Sequence, residues 1–198
     1  LETRNGRLLI STNKGIYSLG TKGFGKVLFR NGRLDEIVHA MIEDREGAIW
    51  LATAGGGLMR MKSDTLVGIT TAHGLFDDNI LDLAEDDFGS LWMTSNLGVF
   101  RADMNELKDF ADGKVLHVRS ISYGTSDGMK SSECNAGVPG IWKTKEGVLW
   151  FPTTKGAVVV DPRFLKRNAD PPVVQIESMV MNRVRYDASD RIEVPPGE

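Results

Sequence analysis

The side chains with the most distinctive chemistry are few: the histidines His39, His73 and His117, and the cysteine Cys134. A catalytic zinc takes three ligands from His, Asp or Glu. These histidines are scattered over separate segments with no partner at ligand spacing, so no metal site is expected. The acidic stretch Asp77, Asp78, Asp82, Glu85, Asp86 and Asp87 lacks the central glycine and terminal glutamate of a calcium loop, and reads as exposed turn surface. Nucleophilic catalysis needs Ser or Cys beside a His with an orienting carboxylate. Cys134 has no His nearby in sequence, and Ser131-Ser132 sit in no nucleophile-elbow pattern. Gly55-Gly56-Gly57 does not open a helix and Gly23-Phe24-Gly25 lacks a third glycine, which leaves no phosphate cradle. The expectation is therefore no catalytic residue and no cofactor.

Composition narrows the partners. A net charge of −3, from 24 Lys+Arg against 27 Asp+Glu, gives no basic footprint for nucleic acid or an anionic membrane. A lone cysteine excludes an internal disulfide. No apolar run approaches the roughly 20 residues that span a bilayer, so a membrane is expected only through a parent protein. The chain begins at Leu1-Glu2 without a methionine and reads as a piece of something longer.

The elements that must position any site follow from a repeat. One phrase occurs as Asn5-Gly6-Arg7-Leu8-Leu9-Ile10-Ser11-Thr12, Asp44-Arg45-Glu46-Gly47-Ala48-Ile49-Trp50-Leu51-Ala52-Thr53, Asp86-Asp87-Phe88-Gly89-Ser90-Leu91-Trp92-Met93-Thr94-Ser95, and Lys145-Glu146-Gly147-Val148-Leu149-Trp150-Phe151-Pro152-Thr153. The turn glycines Gly6, Gly47, Gly89 and Gly147 lie 41, 42 and 58 residues apart, the last unit carrying an insertion. Asp44-x-x-Gly47 and Asp86-x-x-Gly89 are type I turn signals, with an amide-capping Asp first and a left-handed Gly fourth. Short aliphatic and β-branched runs flank them, and no segment sustains a helical period. Four short strands per 41 or 42 residues match one β-propeller blade. The fold class is all-β: a partial propeller of about three and a half four-stranded blades. Trp50, Trp92 and Trp150, each three residues past its turn glycine, are expected to fill the wedges between blades, with Leu9 in their place in the first unit. The propeller is expected over 1–165, a linker over 166–172 marked by Asp170-Pro171-Pro172, and a further module over 173–198.

The phrase Asp-x-x-Gly-x-(Ile/Leu)-Trp-(Leu/Met/Phe)-x-Thr followed by Gly-Leu resembles the two-component regulator propeller repeat of bacterial sensors, over residues 5–162. Pro171-Pro172-Val173-Val174-Gln175-Ile176-Glu177 resembles the entry to the triple-tyrosine domain, an Ig-like β-sandwich, and the insertion Ser122 to Asn135 resembles the family's connector into a final blade. The resemblance implies a periplasmic input domain, anchored through its parent in the inner membrane, that feeds a histidine kinase or a GGDEF diguanylate cyclase. The departures are Lys143-Thr144 where other units have Glu-Asp, and Ser95 for the threonine.

In a propeller, the loops between blades share one face with the loops between second and third strands, and recognition collects on such loops. Here that face would carry His73, Asp77, Asp78, Asn96, Asp127, Asn135 and Lys155, groups suited to a small polar ligand; a saccharide is the class suggested by some relatives. The rival readings are a protein-interaction scaffold, and a propeller lyase or hydrolase needing a His and acid pair. An incomplete ring leaves strand edges open at Leu8 to Thr12 and in the last blade, so self-association as a homo-oligomer or edge-paired dimer is expected.

Overall fold

The structure, a computed structural model, describes residues 1–31, 34–137, 139–165, 178–181 and 184–187. Contacts divide the chain into two units, Leu1–Phe164 and Leu165–Glu198. The expected linker and most of the second module lie outside the described residues. What is described there is one antiparallel hairpin, β15 (Ser178–Met181) and β16 (Val184–Asp187).

The first unit is a partial β-propeller of antiparallel meanders. Blade 1 is β1 (Leu9–Thr12), β2 (Gly15–Gly20) and β3 (Gly23–Lys26), with a bridge from Glu2 to Leu8 at the place of a first strand. Blade 2 is β4 (Val38–Glu43), β5 (Ile49–Thr53), β6 (Leu58–Lys62) and β7 (Thr65–Ile69). Blade 3 is β8 (Asp82–Glu85), β9 (Ser90–Thr94), β10 (Val99–Asp103) and β11 (Ser120–Tyr123). Blade 4 is β12 (Trp142–Lys143), β13 (Leu149–Thr153) and β14 (Gly156–Val160). The repeat register is conserved in space: Glu2 opposes Leu8, Glu43 opposes Ile49, Glu85 opposes Leu91 and Lys143 opposes Leu149.

Each hairpin tip is built as its residue types dictate. Gly6, Gly47, Gly89 and Gly147 have φ of 78°, 81°, 84° and 84°, the left-handed conformation that Gly adopts without a Cβ clash. Asp44 is buried, and its Oδ1 accepts from the amides of Glu46 (2.9 Å) and Ala48 (3.0 Å) while Oδ2 accepts from the Trp50 indole (3.0 Å). Asp86 repeats this with Phe88, Ser90 and the Trp92 indole at 2.9, 2.8 and 2.8 Å. A guanidinium completes each set: Arg60 lies 5.7 Å over the Trp50 ring and Arg101 lies 5.6 Å over the Trp92 ring. Blade 1 has no tryptophan, and Thr3 caps the tip instead, through Arg7 N–H.

Along β5 and β9 the side chains alternate between the two neighbouring blades. Ile49 and Leu51 pack with Leu9, Ile16 and Met59 between blades 1 and 2. Trp50 and Ala52 face Leu83, Leu91 and Met93 of blade 3. Trp92 meets Phe151 of blade 4, ring centroids 5.6 Å apart. Trp50 and Trp92 therefore fill wedges as expected, and Trp150 does not: it is 43% exposed. By the same alternation it faces away from blade 3, where among the described residues no further sheet of this unit packs against it, and Thr144 and Val159 stand where blades 2 and 3 have Asp and Arg.

Ion pairs tie the rims of successive blades, always from the residue after a tip's first position to the end of the next blade's first strand. The Arg4 backbone N–H donates to Glu43 Oε2 (2.6 Å), with its guanidinium 3.5 Å away and bonded to the Asp44 carbonyl. Arg45 lies 3.7 Å from Glu85, and Lys143 lies 2.7 Å from Asp87.

One element departs from the expectation of no helix. Met104–Ala111 form α1, eight residues inserted between β10 and β11. Asp103 caps it by accepting from Asn105 and Glu106 N–H, and Met104 and Leu107 are buried. Two turns are too short to show a period, yet the Asp-x-x-Glu start was readable. The helix region serves blade 2: Asp112 receives Arg60 (2.6 Å) and Lys108 reaches Glu46 (2.8 Å).

These roles separate the three tryptophans. Trp→Phe at 50 or 92 leaves a buried carboxylate oxygen without its indole donor and is expected to cost about 2–4 kcal/mol, whereas Trp150→Phe costs about 0.5 kcal/mol or less. Denaturant unfolding of the three variants checks this, and equal losses would overturn the assignment.

Candidate functional site

The loop face is built from two connectors of one design. Thr71–His73 and Thr125–Asp127 are single 3-10 turns, each ended by a left-handed glycine, Gly74 and Gly128, and followed by a buried apolar residue, Leu75 and Met129. In both, the third residue of the turn bonds back to its start. His73 Nδ1 accepts from Thr70 N–H (3.1 Å), and Asp127 Oδ2 accepts from Gly124 N–H (2.9 Å). Each connector is then threaded between the second-to-third-strand loops of adjoining blades. Asp78 O receives Gly55 and Gly57 N–H, and Ile80 N–H reaches Thr53 O. In the second seam Cys134 N–H reaches Ser95 O, Asn135 N–H reaches Pro152 O, and Thr154 N–H reaches Glu133 O.

This threading places the seven candidate residues in two classes. His73 caps its own turn and packs on Phe110, 4.8 Å between centroids. Asp77 Oδ1 accepts from Asn79 N–H (3.0 Å), Asp78 accepts from Thr71 N–H (2.7 Å) and hydroxyl (2.9 Å), and Asp127 is the cap already described. Each of these four spends at least one polar atom on holding its own loop. Asn96, Asn135 and Lys155 are exposed, and all three border the seam between blades 3 and 4. That seam therefore carries exposed polar groups.

Two residues that the sequence reading set aside, His39 as a histidine without a partner and Asp82 as part of an acidic stretch expected on exposed turns, bond across junctions between blades, and Asp82 is a half-buried strand residue. His39 Nδ1 lies 2.9 Å from Ile80 O of the next blade. Asp82 Oδ2 accepts from the amides of Gly140 (2.6 Å) and Ile141 (2.7 Å) of blade 4, and Oδ1 from Leu83 (2.8 Å). A Cβ on Gly140 would sit 2.9 Å from the Asp82 Cβ, so glycine is what lets the chain approach this carboxylate. Burial raises the Asp82 pKa against the opposing pull of its three backbone donors. Nothing in sequence marks Asp82 apart from its neighbours, since its partners lie 58 and 59 residues away.

Among the described residues no three His, Cys, Asp or Glu side chains gather as a metal site would require, and no helix is long and apolar enough to cross a membrane. Cys134 is buried beneath the second connector, and burial pushes its thiol up to about 11.

Two measurements follow. At pH about 8 the native chain is expected to be inert to thiol reagents and to react once unfolded, because the thiolate is the nucleophile; rapid native labelling would contradict this burial. A carboxyl whose pKa is raised on folding stabilises most below the unfolded value, near pH 4, and loses that contribution as pH climbs through the folded value. Asp82→Asn is therefore expected to remove part of the decline in stability from about pH 4 upward, read by denaturation at several pH values. An unchanged pH slope would show that Asp82 does not titrate in this way.

Residues 32–55 match the family model described as two component regulator propeller. The fold is similar to the extracellular domain of BT4673 from B. thetaiotaomicron, described in one structure as a one component system and in another as a hybrid two component system. The TM-score is 0.63 for both, with 18% and 16% identity over 82% and 84% of this chain and 23% of that one. It is also similar to virginiamycin B lyase from Staphylococcus aureus, at a TM-score of 0.55 and 16% identity over 81% of this chain and 53% of the lyase. The chain thus spans less than a quarter of the BT4673 domain and about half of the lyase. No curated protein matches it. In fold this is a partial β-propeller, and the segment 32–55 within it matches the two component regulator propeller model.

Proposed function

We propose that the chain is part of the extracytoplasmic, non-catalytic ligand-sensing region of a bacterial transmembrane signalling protein, whose output is a histidine kinase or a diguanylate cyclase. The observation that carries this reading is the regulator propeller repeat at 32–55, set in a fold similar to an extracellular domain of a hybrid two component system. The loop-face groups give it a chemistry. Asn96 and Asn135 offer amide donors and acceptors, Lys155 offers a cation, and together they suit a small polar or anionic ligand such as a saccharide. Binding there would bias a two-state arrangement of blades or of the following module, the only way a ligand can shift an equilibrium across the membrane.

The fold likeness to virginiamycin B lyase keeps a catalytic reading as the rival. That reading needs a paired His and acid. In this chain His39 bonds a carbonyl and His73 its own turn.

Calorimetric titration of neutral and acidic oligosaccharides into the full-length protein is the test. Binding is expected, and Asn135→Ala or Lys155→Ala is expected to weaken it about tenfold. Absence of heat with every polar ligand tried would count against sensing, and turnover lost on His39 or His73 substitution would favour the lyase reading.

A further inference from the structure

Blade 4 departs from the repeat along its first strand, and the departure starts from one residue. In an antiparallel strand the N–H and C=O of a residue point to the same neighbour, and Pro152 has no N–H to give. Its carbonyl accepts from Asn135 N–H (3.0 Å) on the side of β13 away from β14, so the missing donor is one that would have held the first strand. That strand is short accordingly: β12 pairs over Trp142 and Lys143 alone, where β8 has four residues and β4 has six. From the bridge of the connector to the end of the first strand, the chain takes six residues in blade 3 (Asn79 to Glu85) and nine in blade 4 (Cys134 to Lys143).

The register that sets Trp142 opposite Trp150 makes Pro152 the ladder partner of Gly140. Asn135 holds that carbonyl instead. The amides of Gly140 and Ile141, both buried residues, turn to blade 3, where Asp82 Oδ2 accepts from each at 2.6 and 2.7 Å. Asp82 opposes Thr94 within its own sheet, on the face turned to blade 4. At the same register in blade 2 stand Ala40 and Ala52, packed into the apolar cluster shared with blade 3. The exchange of an Ala pair for Asp and Thr thus falls at the junction whose next first strand has lost part of its ladder.

We infer that Asp82 is a positioning residue for the ligand seam, holding Gly140 off the Pro152 carbonyl so that Asn135 occupies it. The seam's ligand rests on the sensing reading above; the exchange of partners rests on this geometry alone. The connector has two arrangements. In one, Pro152 O takes Asn135 N–H and Asp82 takes the two blade 4 amides. In the other, Gly140 N–H completes the ladder on Pro152 O, and both Asn135 and Asp82 are released. A ligand that contacts Asn135 favours the first arrangement, which ties occupancy of the seam to the first strand of blade 4.

Hydrogen exchange of the full-length protein, read at single amides across 134–143, tests this. In Asp82→Ala, exchange is expected to rise about tenfold at Ile141 and at Asn135, which bonds Pro152 and not Asp82, and less at Gly140, which gains a new acceptor. The tip at 86–90 stays protected, and Asp82→Asn, which keeps an acceptor, restores Asn135. Loss confined to Gly140 and Ile141 overturns the positioning role. Should Asp82→Ala not fold, Gly140→Ala displaces the same contact from the other side, since its Cβ would sit 2.9 Å from the Asp82 Cβ, and Asn135 must again lose protection. Titration with an acidic oligosaccharide, an oligogalacturonate, separates the two readings. If it binds, Asp82→Ala weakens it about tenfold, as Asn135→Ala does, and the double variant no further; additive losses overturn the coupling. If it does not bind, the saccharide reading loses support, and the exchange at Asn135 still decides the role of Asp82.

Discussion

The propeller depends on a buried carboxylate that does two jobs at once. In blades 2 and 3 the tip aspartate bonds two backbone amides with one oxygen and an indole with the other, so the turn and the tryptophan are fixed by one group. A carboxylate without partners would be expelled from such a site, since desolvation costs several kcal/mol. Three donors offset that cost, and the guanidinium on the ring's face supplies compensating charge. The consequence is directional: the indole, pinned at its nitrogen, can present its ring only to the following blade. Where the tryptophan is missing, in blade 1, or is left half exposed, in blade 4, the aspartate is replaced by Thr3 or Thr144. Aspartate and arginine are absent together in blades 1 and 4, the two blades without a buried indole for them to hold.

A second constraint acts at the opposite rim. The connectors must carry the chain between blades with few regular strand hydrogen bonds, and their polar side chains replace those bonds. His73, Asp78 and Asp127 each satisfy amides or hydroxyls of their own loop, so what reads in sequence as a polar recognition surface is largely loop architecture. At the seam of blades 3 and 4 the groups left exposed include Asn96, Asn135 and Lys155.

The turn glycines, the repeat period and the wedge tryptophans of blades 2 and 3 were legible because each follows from local geometry that the residue type alone can meet. Helix α1 was less so: two turns give no periodic signal, although the cap at Asp103 and Glu106 marked its start. Trp150 was misplaced for a different reason, since its sequence context matches its relatives while burial depends on the blade beyond it. The candidate site was legible as a face and not as a set of side chains. Whether Asp77 or Asn135 points outward is decided by hydrogen bonds to residues brought near only by the closed turns. Asp82 is the extreme case, a carboxylate whose partners are another blade's backbone.

The two rims together explain why the blades stack in one order. Apolar faces alone are interchangeable, because every interior face offers a similar mixture of Leu, Ile, Met and aromatic side chains, and such surfaces tolerate exchange. Ion pairs at exposed rims contribute little to stability, about 0.2–1 kcal/mol each. Their value is in what they forbid: a swapped junction sets like charges side by side, as Arg45 beside Lys143 would be, and loses the favourable pair as well. Inverting the sign at one junction creates that penalty: of the six wrong pairings of Arg4, Arg45 and Asp87 with Glu43, Glu85 and Lys143, four set like charges together, and with no inversion none would. Stability therefore comes chiefly from the tryptophan wedges and the order of blades from the connectors that join them, while the rim charges add little to stability and penalise mispaired junctions.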